Sequence, residues 1–151
     1  MSISTIAIVC VGVGILVFLA GWFIYNRISS GRTDLFDDME GSDFEKYCAD
    51  LLIVMGFEEV ELTPASRDFG VDILAEKDGV SYAFQCKCYA DPVGIKAIQE
   101  VYDGKDFYGS MVGVVITNQE FTGPAKDYAE KLNVILWDGN KISDMISKFM
   151  I

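Results

Sequence analysis

From Gly41 onward the spacing of apolar positions changes repeatedly, and each spacing predicts one element. Phe44, Tyr47, Cys48, Leu51, Leu52 and Met55 recur at helical intervals. They follow Ser42-Asp-Phe-Glu45, a capping-box pattern, so a first helix is expected from about Asp43 to Met55. Phe57 to Thr63 alternates as a strand, and Pro64 to Phe69 reads as a polar loop. Gly70 to Lys77 and Val80 to Cys88 alternate on either side of Asp78-Gly79, the signal of a hairpin closed by a two-residue type I′ turn. Asp91-Pro92 resembles an N-cap and first-turn pair. It should open a helix with Val93, Ile95, Ile98, Val101 and Tyr102 toward the core and Gly104 or Gly109 near its end. Met111 to Thr117 is a continuous apolar run, as in a strand covered on both faces. Thr122 to Leu132 predicts another helix, Val134 to Trp137 a short buried strand, and Asp138-Gly-Asn140 the turn into a last helix reaching Ile151. The order α-β-β-β-α-β-α-β-α implies an α/β fold, a central mixed β-sheet flanked by helices.

The start of the chain follows a different pattern. Met1 to Asn26 holds no charged side chain, and Ile6 to Tyr25 is apolar or small throughout. That matches the roughly 20 residues needed to cross a bilayer core. Trp22 and Tyr25 stand where amphipathic rings favour the interface, and Arg27 and Arg32 follow. The expectation is one N-terminal transmembrane helix in 1–26, an acidic linker in 27–41 and a domain in 42–151 exposed to the cytoplasm. A cleaved signal peptide is the rival reading, disfavoured because no basic residue precedes the apolar run.

Composition narrows the chemistry. With 151 residues there is length for one domain and an appendage, and the net charge is −11. The acid is unevenly spread: Asp34 to Glu61 holds ten acidic residues against Lys46 alone. The chain contains no histidine, which excludes Ser-His-Asp and Cys-His catalysis. Cys86 and Cys88 have neither a histidine nor a second close cysteine pair to complete a zinc site.

The hairpin register carries the candidate chemistry. A two-residue turn sets Lys77 opposite Val80, which brings Asp72 opposite Gln85 and Gly70 opposite Lys87. Because side chains alternate across a sheet, Asp72, Gln85 and Lys87 are expected on one face, with Val71, Ile73, Ala75, Tyr82, Phe84, Cys86 and Cys88 on the other. A carboxylate, an amide oxygen and an ammonium on one face can hold a divalent cation beside a phosphate and orient an attacking water. The plainer reading is a diagonal Asp72–Lys87 ion pair, a solvated Gln85 and a Glu45 that closes the capping box.

Phe44-Glu45, Gly56-Phe57, Asp68-Phe-Gly-Val-Asp72, Gln85-Cys-Lys87 and Phe121-Thr-Gly-Pro-Ala125 together resemble the Mrr family of restriction endonucleases, from Gly41 to about Ile146. That family lies within the nucleases of the P-D…D/E-x-K signature, and this chain resembles its Gln-x-Lys variant. The resemblance implies a restriction-endonuclease-like fold and a Mg²⁺-dependent deoxyribonuclease, with Mn²⁺ as substitute. It implies Asp72, Gln85 and Glu45 as metal ligands and Lys87 as the water-activating or charge-stabilising lysine. Arg67 and Lys96 are candidate phosphate contacts. Double-stranded DNA is the implied partner, with no small-molecule cofactor, and a homodimer is left open. The alternative is a non-catalytic module on the same scaffold that binds nucleic acid or protein at the membrane.

Overall fold

The computed structural model describes residues 14–22, 36, 38–64 and 69–149. The chain divides into two compact units, Met1–Asp34 and Leu35–Ile151. In the first unit residues 14–22 are helical (α1), and Ile15, Leu16, Val17, Phe18, Leu19 and Trp22 are exposed on it. Among the described residues no helix is long and apolar enough to cross a membrane. The rest of the span expected in 1–26 lies outside the described residues.

The second unit runs α2 (Gly41–Val54), β1 (Glu58–Leu62), β2 (Ile73–Lys77), β3 (Val80–Lys87), α3 (Ile95–Phe107), β4 (Val112–Thr117), α4 (Gly123–Leu132), β5 (Ile135–Trp137) and α5 (Gly139–Phe149). This is the expected element order. The five strands lie in the sheet order β1-β2-β3-β4-β5. β1, β2 and β3 are antiparallel, whereas β3, β4 and β5 are parallel, so the sheet is mixed. Side chains from α2 and α5 (Phe44, Cys48, Leu52, Ile142, Met145) pack with Ile73, Phe84, Cys86, Val114 and Ile116 on one face. On the other, α3 and α4 (Ala97, Ile98, Val101, Ala125, Ala129) pack with Val115. Helices cover both faces, which is why β4 is almost uniformly apolar.

Three local expectations are corrected. α2 begins two residues earlier than expected, at Gly41: its N-cap is Glu40, with no side-chain cap bond, and Ser42 lies inside the helix. The cause is packing upstream, where the buried Phe36 ring meets Phe44 and Tyr47 edge-on at 5.4 and 5.1 Å and so staples an earlier start. Asp91-Pro92 does not open α3, whose N-cap is Gly94. Val93 instead forms a parallel bridge with Phe121, its N–H donating to Glu120 O at 2.9 Å while Thr122 N–H donates to Val93 O at 3.0 Å. Finally, β2 starts at Ile73, so Asp72 and Gly70 lie outside its regular ladder. Val71 leaves the face of Ile73 and packs toward Gly104 of α3.

Candidate active site

The tight turn is as expected, with Lys77 paired to Val80 and the ladder regular to Ile73–Phe84. Beyond that pair Asp72 takes over from the backbone. Its N–H donates to Phe84 O at 2.8 Å, and its Oδ2 accepts the Cys86 N–H at 2.6 Å. The Asp72 side chain thus occupies the place in the ladder that a main-chain carbonyl would have filled. The Val71 carbonyl is released to accept from Thr63 Oγ1 at 2.5 Å. Outside the regular ladder, residues 69–71 turn onto α3. A Cβ on Gly70 would stand 2.6 Å from Glu100 O, and one on Gly104 would collide with Phe69 O. Only glycine permits both approaches, and Gly70 also holds φ +78°.

These contacts enclose a cavity of about 300 Å³ lined by Phe69, Gly70, Asp72, Gln85, Lys87, Glu100 and Asp103. The structure therefore brings Asp72, Gln85 and Lys87 together, although through a side-chain-capped strand end rather than the regular register expected. Gln85 is 3 % exposed, and its Nε2 donates to Glu100 Oε2 at 3.0 Å. Its Oε1 is buried and has no hydrogen-bond partner among the described residues. A bare buried acceptor costs about 1–3 kcal/mol, so this oxygen is chemically suited to a bound cation or water. Lys87 Nζ lies 3.2 Å from the same Glu100 oxygen, and Lys96 Nζ lies 3.6 Å from the other.

Electrostatics fix the charge state of the trio's cation. Burial works to lower the Lys87 pKa, but Glu100 above all, with Tyr89 and Asp72, more than offsets it and holds the ammonium above its ordinary value. Burial likewise works to raise the Glu100 pKa. Lys87, the Gln85 hydrogen bond and Lys96 outweigh it, so the carboxyl sits below its ordinary value. Lys87 is a fixed positive charge at neutral pH, suited to stabilising anionic oxygens rather than to accepting a proton.

Glu45 lies on α2 and is not among the residues that line the cavity. Its charge does reach the Cys86 thiol, which a hydrogen bond to Cys48, burial, and the charges of Cys48, Asp72 and Glu45 push well above its ordinary value. Lys96 is 87 % exposed and borders a neighbouring cleft of about 150 Å³ that shares Lys87 and Glu100 with the main cavity. Arg67 lies outside the described residues. Two residues went unseen in the sequence. Glu100 stands at the margin of the apolar stripe of α3, four residues after Lys96 and four before Gly104; that stripe edge is the signal it left. Asn118 clamps the end of β3, accepting from Tyr89 N–H and donating to Tyr89 O, both at 2.9 Å.

The donor set suits a hard divalent cation: Asp72 and Gln85 offer oxygen at one wall of the cavity. Among the described residues no three His, Cys, Asp or Glu side chains form a metal cluster. Any cation here would keep positions for water and phosphate oxygens, as Mg²⁺ does.

The sequence profile of the Mrr-type catalytic domain, described as restriction endonuclease, matches residues 36–146, a stretch holding every strand and the whole cavity lining. The chain belongs to this restriction endonuclease family. No curated protein matches it. Among solved structures, the Mrr-family domain resembles a protein of unknown function, AF1548, at TM-score 0.60 and 24 % identity, covering 69 % of this chain and 64 % of that one. It resembles the DNA modification-dependent restriction endonuclease AspBHI at TM-score 0.63 and 19 % identity, covering 81 % and 35 %. MspJI, solved with a 27-mer oligonucleotide, gives TM-score 0.59 and 18 % identity, covering 78 % and 30 %. The chain thus spans about a third of AspBHI and MspJI. At these identities the likeness establishes the restriction-endonuclease-like fold.

Proposed function

We propose that this Mrr-family domain is a divalent-metal-dependent DNA endonuclease that hydrolyses phosphodiester bonds. The observation that carries the reading is the partnerless Gln85 Oε1, buried in the cavity that Asp72 and Lys87 also line. Family membership supports it, as do the fold neighbours AspBHI, named as a restriction endonuclease of modified DNA, and MspJI, solved with an oligonucleotide. Asp72 and Gln85 would hold the Mg²⁺ or Mn²⁺. A bound cation would supply Lewis-acid polarisation of a phosphate oxygen and a water of lowered pKa. Lys87 lines the cavity and would stabilise the charge that develops on a phosphate's non-bridging oxygens as water attacks phosphorus and the P–O ester bond breaks, with a solvent water protonating the departing oxygen. Its pairing with Glu100 keeps it protonated and aimed.

The acidic surface is the feature that favours a non-catalytic binding module instead. One experiment separates the two readings. Purified chain incubated with supercoiled plasmid and Mg²⁺ or Mn²⁺ should nick it, with EDTA, Asp72→Ala and Lys87→Ala each abolishing the reaction. Equal nicking by the native chain and both variants would reject the site, and no nicking by a folded native chain would favour the module.

We further propose that residues 1–26 tether the domain to a membrane, with the nuclease on the cytoplasmic side. The charge-free apolar sequence and the exposed apolar side chains of α1 support this. The full chain should stay in the membrane pellet after alkaline carbonate washing, and release into the supernatant would contradict it.

A further inference from the structure

We infer that Glu100 is a positioning residue of this active site: one of its carboxylate oxygens sets the direction of the Gln85 amide and holds Lys87 beside it. The inference rests on the metal-dependent reading above and deepens it. A carboxylate at neutral pH only accepts hydrogen bonds. The Gln85 group that faces Glu100 Oε2 at 3.0 Å must therefore be the NH₂, since the carbonyl oxygen in that place would meet a negative charge. Oε1 is thereby turned away from Glu100, and it is this oxygen that stays buried without a partner among the described residues. An unrestrained glutamine could present either end of its amide. The Glu100 carboxylate removes that freedom and leaves the oxygen as the end offered to a cation.

The same oxygen, Oε2, lies 3.2 Å from Lys87 Nζ. One atom thus fixes two functional side chains, which stand two residues apart on β3. Glu100 is itself held from behind, because the backbone of Gly70 lies on it so closely that a Cβ there would come within 2.8 Å of Glu100 Cβ. The ion pair with Lys96 is longer, at 3.6 Å, and that lysine is 87 % exposed, so a plain surface pair along the helix does not account for the shorter contacts to β3. Charge points the same way. Gln85 is neutral, so β3 brings no carboxylate to the cavity, whereas Glu100 brings one to its wall from α3, in contact with both Gln85 and Lys87.

The test uses full-length chain and reads Mn²⁺ binding by the loss of the free-ion electron paramagnetic resonance signal, alongside plasmid nicking and thermal melting. Glu100→Gln keeps shape and hydrogen-bonding capacity but lets the Gln85 amide rotate. It should weaken Mn²⁺ binding by about 10–100-fold, the usual effect of losing an outer partner of a metal ligand, and slow nicking with it. Glu100→Asp, which retains the charge on a shorter stem, should recover part of both. Melting should change little in either variant. Native Mn²⁺ affinity and nicking in folded Glu100→Gln would overturn the inference, as would an Asp variant no better than the Gln variant. Asp72→Ala tells the two layers apart. If it loses metal and nicking while Glu100→Gln keeps both, only the role of Glu100 falls; if it keeps both, the metal-dependent reading falls and the inference with it.

Discussion

Asp72 shows how one side chain ends a strand and begins a site. By accepting the Cys86 N–H it replaces a main-chain carbonyl, stops the β2–β3 ladder and sends residues 69–71 onto α3. The trio Asp72, Gln85 and Lys87 was legible because a period of two and a two-residue turn are local properties. Glu100 was not, because its partners lie 13 and 15 residues away in sequence and only packing brings them together. Lys87 acts as a compact charge between Glu100 and the cavity, and a planar guanidinium fits that place poorly. Lys87→Arg should lower the nicking rate by about 10²–10³-fold, the scale of losing one preorganised charge stabiliser, with the melting temperature unchanged. Rates within a few-fold of native would show that any cation suffices there.

At the scale of elements, helices and strands were foreseen in type and order, whereas the starts of α2 and α3 were misread. In both cases a tertiary contact decided the boundary: Phe36 on Phe44 for α2, and the Val93–Phe121 bridge for α3. The edge strand β1 is short, irregular in register between Glu58 and Glu61, and exposes Glu58, Glu59 and Glu61, which guards it against pairing with another chain. The contact that positions the site is between 69–71 and α3. Gly104→Ala should gain about 1 kcal/mol of helix propensity. The added methyl group, however, would collide with Phe69 O and stand 2.6 Å from Val71 Cγ2, an overpacking that costs about 1–3 kcal/mol. The clash should win, lowering the melting temperature by a few degrees and slowing nicking because Gly70 is lifted from Glu100. A more stable Gly104→Ala variant would show that the 69–71 segment moves aside freely.

Across the Mrr-family domain, a mixed sheet covered on both faces opens a polar cavity at the end of β2. The net charge of −11 opposes DNA, so binding should depend on cations at the site that offset phosphate repulsion. Fluorescence anisotropy with a labelled duplex should show tighter binding with Ca²⁺ than with EDTA, and less of that gain in Asp72→Ala. Binding indifferent to Ca²⁺ would place the DNA contact elsewhere. The central claim is that a divalent cation binds between Asp72 and Gln85, and paramagnetic broadening tests it most directly. When Mn²⁺ is added below one equivalent, the Gln85 side-chain NH₂ and the Cys86 backbone amide should lose intensity first. Loss centred on the acidic residues of 38–61, with Gln85 and Cys86 untouched, would contradict it.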